Sequence, residues 1–372
     1  MKIAIDVSQT VYGGGVAVYT RNLVETLLSI DKKNHYRFFF SSLRRNFRDA
    51  KIKIGEKNLE VKIFKIPATA LDFFWNGLHI WPVEKFVGEV DIFHASDWTQ
   101  PPAKKAKLVT TIHDLSFLKY PKTVHPKVLV VQKRRLQWVK KQTDQIIAVS
   151  EATKKEAIEL LGIPAKKITV VYEALPKDVL NFASQLPVKR GFVNDCKSKF
   201  KITKPYIFAY GSRAPRKNIE KLIQAFNLVA KKIDCQLVVC GNYKTKEKLP
   251  KNVVLTGFLR RNEMLTLFSK AKVFAYPSLY EGFGLPILEA FAFGIPVVTG
   301  NCSSMAEISG KAAFLVNPKS VKSIAAGLTT ALAGGKPCQE AIELGKKRLK
   351  LFSWEKAAKE TLQVYKKALA GK

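Results

Sequence analysis

Tyr280-Glu281-Gly282-Phe283-Gly284-Leu285-Pro286-Ile287-Leu288-Glu289-Ala290 follows Val273-Phe274-Ala275-Tyr276, a short apolar run of strand type. Pro286 suits the first turn of a helix, where its fixed φ is wanted and its missing N–H costs nothing. Gly294 and Pro296 read as that helix's stop, and Ile295-Pro296-Val297-Val298 begins the next strand. Glu281 therefore falls on a glycine-flanked loop at a helix mouth, and Glu289 about two turns into the helix. Such a mouth presents unpaired N–H groups and a positive dipole end to an anion. A carboxylate beside it can grip hydroxyls on whatever the anion carries. The competing reading is a buried strand–helix unit with two solvated glutamates.

The pattern repeats in both directions. Lys2–Val7 reads as a strand, and Gly13-Gly14-Gly15 leads into an amphipathic stretch from Val16 to Ile30. Gly14 and Gly15 allow close approach of a phosphate or sugar to a helix N-terminus, although a flexible turn explains them equally well. Further strand-type runs lie at 36–40, 61–64, 90–94, 108–112 and 145–149. Apolar strands alternating with helical stretches predict parallel sheets covered on both faces, with ligands at the strands' C-terminal edges. His113 and Asp114 hold such an edge. His94 ends a strand too, but nothing chemical surrounds it and it reads as structural. Tyr206–Gly211 restarts the pattern, and Ser212–Asn218 then opens a helix over 219–230. Arg216 and Lys217, adjacent cations at a strand end and helix mouth, predict a diphosphate site. A solvated basic turn is the plainer alternative.

The totals set bounds. At 372 residues with 47% hydrophobic content, two ordinary domains with full cores are expected. No stretch approaches the roughly 18 apolar residues of a membrane span. The N-terminus reads as a strand and not as a signal peptide. The five cysteines show no metal spacing and suit a reducing compartment. With 63 Lys and Arg against 30 Asp and Glu, the formal net charge is +33. That field attracts polyanions, anionic headgroups or phosphorylated substrates, unless it is a bias of the whole proteome. Residues 101–150 carry 11 basic and 2 acidic side chains. Within them Lys127–Lys141 predicts a basic amphipathic helix, compatible with docking on an anionic membrane or with an ordinary solvated face. The aromatic cluster at 71–82 borders a groove or, in the simpler reading, packs beneath a loop.

Glu281 and Glu289, seven residues between them, resemble the E-x7-E signature of the GT4 family of retaining glycosyltransferases. The Arg216-Lys217 segment is similar to that family's diphosphate-binding loop, with Arg213 as a candidate further arginine. The resemblance covers nearly the whole chain and is strongest from Tyr206 to Pro318. It implies the GT-B fold: α/β, two Rossmann-like domains facing across a cleft, with the C-terminal helix crossing back to the first. The expected parts are an acceptor domain over 1–175, a connection over 176–205, a donor domain over 206–352 and the returning helix within 353–372. It also implies a nucleotide-diphosphate sugar donor, GDP- or UDP-linked, with no metal ion or other cofactor. In this reading His113 sits by the reacting sugar, Glu281 holds sugar hydroxyls and Glu289 the ribose. Arg216 and Lys217 meet the leaving diphosphate, and Phe283, Gly284, Leu285, Gly14, Gly15 and Asp114 complete the substrate contacts. The Gly257-Phe258-Leu259 loop would receive the base. A glycan or lipid-linked acceptor is expected, mannose or glucose as the sugar, and a cytoplasmic location with peripheral membrane contact. Nucleic acid is not expected as a partner. The alternatives are a sugar-nucleotide epimerase and a polyanion-binding protein on a lapsed scaffold. Glycoside hydrolysis, which also uses paired carboxylates, has no need of a diphosphate site.

Overall fold

The computed structural model describes residues 1–53, 55 and 58–371; Lys372, the end of the expected terminal segment, lies outside them. The chain divides into two compact units, Met1–Pro176 with Phe352–Lys372, and Lys177–Leu351.

The first unit is built on seven strands: β1 Lys2–Asp6, β2 His35–Ser41, β3 Leu59–Phe64, β4 Ile92–Ala95, β5 Lys107–Ile112, β6 Gln145–Ala148 and β7 Ile168–Val170. They pair in the order β3-β2-β1-β4-β5-β6-β7, every pairing parallel. Helix α1 (Gly14–Ile30) follows β1, and α2 (Pro126–Gln142) precedes β6. Strands such as β2, with Tyr36 and Phe38–Phe40 buried, are apolar on both faces because helices cover both. Since β1 lies between β2 and β4, strand order reverses there, and a crevice opens at the C-terminal ends of β1 and β4.

The second unit begins with α3 (Lys177–Ser184) and α4 (Arg190–Lys199). Of residues 176–205, expected as a connection, Pro176 closes the first unit, and the rest, which include α3 and α4, group with the second, so the division falls between Pro176 and Lys177. Few apolar residues betray them: α4 buries Val193 and Cys196, and α3 buries Val179. The sheet has strands β8 Tyr206–Gly211, β9 Gln236–Gly241, β10 Val253–Gly257, β11 Val273–Tyr276, β12 Val297–Gly300 and β13 Phe314–Val316, all parallel. Their order β10-β9-β8-β11-β12-β13 reverses between β8 and β11. The loops leaving those two strands carry Arg216-Lys217 and Glu281. The helices that follow β8, β10 and β11 are α5 (Ile219–Ala230), α6 (Arg261–Ser269) and α7 (Leu285–Ala292).

The last helix, α8 (Trp354–Ala370), groups with the first unit. Ser353 accepts the Lys356 N–H and caps it. Trp354 is buried and donates its indole N–H to Leu175 O at 3.0 Å. Tyr365 meets His94 Nδ1 at 2.8 Å, while His94 Nε2 faces Thr111 Oγ1 at 2.9 Å. Burial, with the charges of His113 and Arg135, pushes His94 down to about 3. It is a neutral structural bridge between the sheet and α8. No helix among the described residues is long and apolar enough to cross a membrane.

Candidate active site

In the second unit the loop after β8 makes a single 3-10 turn, Pro215–Lys217, and Asn218 then takes a left-handed conformation (φ 60°) before α5. The Asn218 amide is buried and donates to Pro277 O at 2.9 Å and Pro318 O at 2.7 Å, tying this loop to the end of β11. The Arg216 carbonyl accepts the Leu279 N–H at 2.7 Å. These bonds set two cations against one carboxylate. Arg216 Nη1 donates to Glu281 Oε2 at 2.9 Å and to Tyr280 O at 3.1 Å. Lys217 Nζ donates to Glu281 Oε1 at 2.8 Å and to Tyr276 Oη at 2.7 Å, and lies 4.8 Å from the Tyr276 ring centroid. Ser304 Oγ holds the Glu281 carbonyl at 2.9 Å.

Glu281 is 7% exposed. Burial alone would raise its pKa, but Lys217 and Arg216 outweigh it and hold the carboxyl below the ordinary range. Two cations and one anion leave a net positive centre whose geometry is fixed before any ligand arrives. Such preorganised charge is what stabilises a departing anion.

Glu289 has a different setting. It is the fifth residue of α7, nearer the helix start than expected, and 5% exposed. Tyr210 Oη donates to Oε2 at 2.7 Å and Arg261 Nη2 to Oε1 at 3.2 Å. Arg261 Nε also donates to Asp178 Oδ2 at 2.8 Å. Burial pushes the Glu289 carboxyl upward, against Arg261 and Tyr210, which favour its charged form. Tyr210, Arg261 and Asp178 were not anticipated; the Arg260-Arg261 pair just after the Gly257 turn was the available hint. Gly284 caps α7 at φ 105°, a conformation that favours glycine, and Phe283 is buried beside it. Leu285 is the first residue of α7. Arg213 is exposed, and its main-chain N–H donates to Asn242 Oδ1 at 3.3 Å.

In the first unit His113 leaves β5 nearly buried, its Nδ1 3.1 Å from Glu173 Oε1 and its ring edge-on to Tyr19. Burial works to lower its pKa, but the Glu173 bond and the charges of Glu173, Asp97 and Asp114 raise it overall. Asp114 makes a local turn, Oδ1 accepting Ser116 N at 2.9 Å and Ser116 Oγ at 2.7 Å. Gly14 opens α1 at φ 83°, which requires glycine, whereas Gly15 has no such constraint; side-chain space at both is open. Glu173, which orients His113, escaped sequence reading because it lies 60 residues away. Asp97, whose charge also raises His113, escaped as well.

Residues 194–348 match the family described as Glycosyl transferases group 1, and residues 13–178 match Glycosyltransferase Family 4. The O-antigen chain mannosyltransferase B of Escherichia coli is 30% identical over 291 residues, 74% of this chain and 74% of that protein. The chain is a group 1 glycosyltransferase of family 4. Another relative of this glycosyltransferase, the serotype-specific mannosyltransferase WbdA of Escherichia coli, is 26% identical over 61% of the chain, which spans only 29% of that protein. Among solved structures, the sucrose-phosphate synthase of Thermosynechococcus elongatus superposes with TM-score 0.72 over 100% of both chains at 20% identity. That likeness bears on fold, and the fold is GT-B. Enzyme class and family stand as the E-x7-E stretch implied.

Proposed function

We propose that this glycosyltransferase moves a hexose, with retained anomeric configuration, from a nucleotide-diphosphate sugar to a glycan or lipid-linked acceptor. The observation that carries it is the pair Arg216 and Lys217, both bonded to buried Glu281 at the reversal point of the second sheet. The acceptor oxygen forms its bond to the anomeric carbon as the bond from that carbon to the diphosphate oxygen breaks, and the hydroxyl proton passes to the leaving phosphate. Arg216 and Lys217 take up the charge released, with Glu281 aligning both. His113, steadied by Glu173, would serve the reacting sugar, and Glu289 the ribose. Phe258, 83% exposed beside Gly257, offers a ring face to the base. Side chains supply the countercharge here, so no metal ion is invoked. The relatives named above are mannosyltransferases, which supports GDP-mannose as donor before UDP-glucose.

A thermal-shift panel of GDP-mannose, UDP-glucose, GDP, UDP and ADP, run with excess EDTA, tests the donor side. One base should stabilise the protein, by about 2.7 kcal/mol at a hundredfold excess over Kd. No shift with any of them would oppose this reading.

The same reading extends to a membrane surface. Lys127, Lys133, Lys140 and Lys141 are exposed along α2. Beside α2, Phe73, Leu78, Ile80 and Trp81 are exposed, whereas Trp75 of the same cluster is core. His79 joins the two, its ring stacked on Trp138 with centroids 3.5 Å apart and its Nε2 2.7 Å from Gln142 Oε1. Apolar tips beside a lysine row match an anionic bilayer, each lysine worth about 1 kcal/mol. Sedimentation with phosphatidylglycerol vesicles at low salt should be strong and should fall sharply in Phe73→Ser/Trp81→Ser. Equal sedimentation with neutral vesicles would remove the lysine row's part in binding, and none with either would remove the membrane.

A further inference from the structure

Glu289 meets the ribose in the reading above, yet three side chains around its carboxylate have no part in that reading: Tyr210, Arg261 and Asp178. Tyr210 lies near the end of β8. Burial and the charge of Glu289 push its pKa well up, so the phenol stays protonated and donates. Its one proton goes to the charged acceptor, Glu289 Oε2 at 2.7 Å, in preference to the weakly accepting Met264 Sδ at 3.0 Å. Arg261, the first residue of α6, spans two acids. Its Nη2 donates to Glu289 Oε1 at 3.2 Å and its Nε to Asp178 Oδ2 at 2.8 Å. The Arg261 side chain is 42% exposed and that of Asp178, on α3, 54%, so the pair reaches Glu289 from the solvent side. All four residues belong to the second unit.

An ionised carboxylate offers about four acceptor positions. Tyr210 and Arg261 take one on each oxygen of Glu289 and leave one on each, as many as a vicinal diol can fill with its two hydroxyls. That capacity depends on charge. Burial pushes the Glu289 carboxyl upward, and Arg261 is the strongest influence holding it back. Tyr210 from β8 assists by its hydrogen bond, whereas Asp178 from α3 and Tyr276 from β11 bring no positive charge. A protonated carboxyl would turn one oxygen into a donor and leave only neutral, weaker acceptors for the diol.

We propose that Arg261 determines which nucleoside the donor site takes: strung between Asp178 and Glu289, it keeps Glu289 a two-oxygen acceptor and so makes the protein demand both hydroxyls of a ribose. Arg261 acts through Glu289 and is a positioning residue. The proposal rests on the reading of Glu289 as the ribose contact.

The test compares GDP with its 2′-deoxy analogue, and UDP with its own, by calorimetry on the full chain. For the nucleotide that binds the wild type, the ribose form should bind at least tenfold more tightly than the deoxy form, since a hydrogen bond to a charged group is lost. Arg261→Met keeps a long side chain at this half-exposed position but removes the charge, and should bring the gap to within about threefold. Arg261→Lys returns a cation and should widen it again. Raising the pH from mildly acidic to mildly alkaline ionises Glu289 in Arg261→Met, so the gap should widen there more than in the wild type. Ionisation of the phosphates is common to both forms and cancels from the ratio. If Arg261 only supported the fold, Arg261→Met would weaken both forms alike and leave the gap untouched, which would overturn the proposal. A wild type indifferent to the deoxy change, or tighter binding of the ribose form by Arg261→Met, would overturn it too. In each of these cases the nucleotide still binds and the donor-site reading stands. Failure of GDP and UDP alike to bind the folded wild type would overturn both.

Discussion

Lys217→Ala is expected to lower kcat/KM for sugar transfer by about 10²–10³-fold, the range for removing one preorganised group that faces developing negative charge. The loss has two parts. The diphosphate loses a cation, and Glu281 loses one of the two partners that justify its burial. Breaking a buried ion pair from one side costs about 3–5 kcal/mol in dry settings; at 18% side-chain exposure Lys217 should fall below that. The pH response separates the two parts. A carboxyl held below its ordinary value contributes stability above the unfolded pKa, and that stability is lost as pH falls through the folded one. Without Lys217 the Glu281 pKa rises, so acid sensitivity should begin at higher pH than in the wild type. Acid unfolding curves and steady-state kinetics on the same preparations check both. Unchanged turnover would place the diphosphate elsewhere.

Trp354→Ala should destabilise the first unit by about 3–5 kcal/mol, the usual cost of emptying a buried Trp site. Trp354 anchors the start of α8 through its bond to Leu175 O and its edge contact with Tyr19. Because α8 belongs to the first unit and Glu281, Arg216 and Lys217 to the second, the first unit's denaturant midpoint should fall while nucleotide affinity holds. Loss of nucleotide binding at denaturant concentrations where the variant is still folded would contradict that division.

Much of this was legible because it is local. Apolar runs such as Phe38-Phe39-Phe40 and Val273–Tyr276 are strands since both faces of a parallel sheet are buried. Glu281 was marked by the glycines around it, and Arg216-Lys217 by their place at a strand end. What stayed hidden was pairing across distance. Glu281 is clasped by cations 64 and 65 residues away, and Glu289 by Tyr210 and Arg261 on two other elements. Asp97 looks like an ordinary strand-end acid until β4 pairs with β5 and its charge reaches His113. The 71–82 cluster divided because residues 72–77 form a π-helix, whose periodicity no amphipathic template carries, burying Trp75 while exposing Phe73. Residues 176–205 misled because short, polar helices around Pro187 leave a weak pattern.

Sugar transfer from a nucleotide donor at the positive centre around Glu281 is the expected activity. It is tested most directly by following GDP-mannose or UDP-glucose with a neutral glycan acceptor by NMR, reading nucleotide release and product anomer in one sample. One nucleoside diphosphate should be released per new glycosidic bond, only with acceptor present, and the product should carry the donor's own anomeric configuration. Release without an acceptor product, or an inverted product, would contradict it.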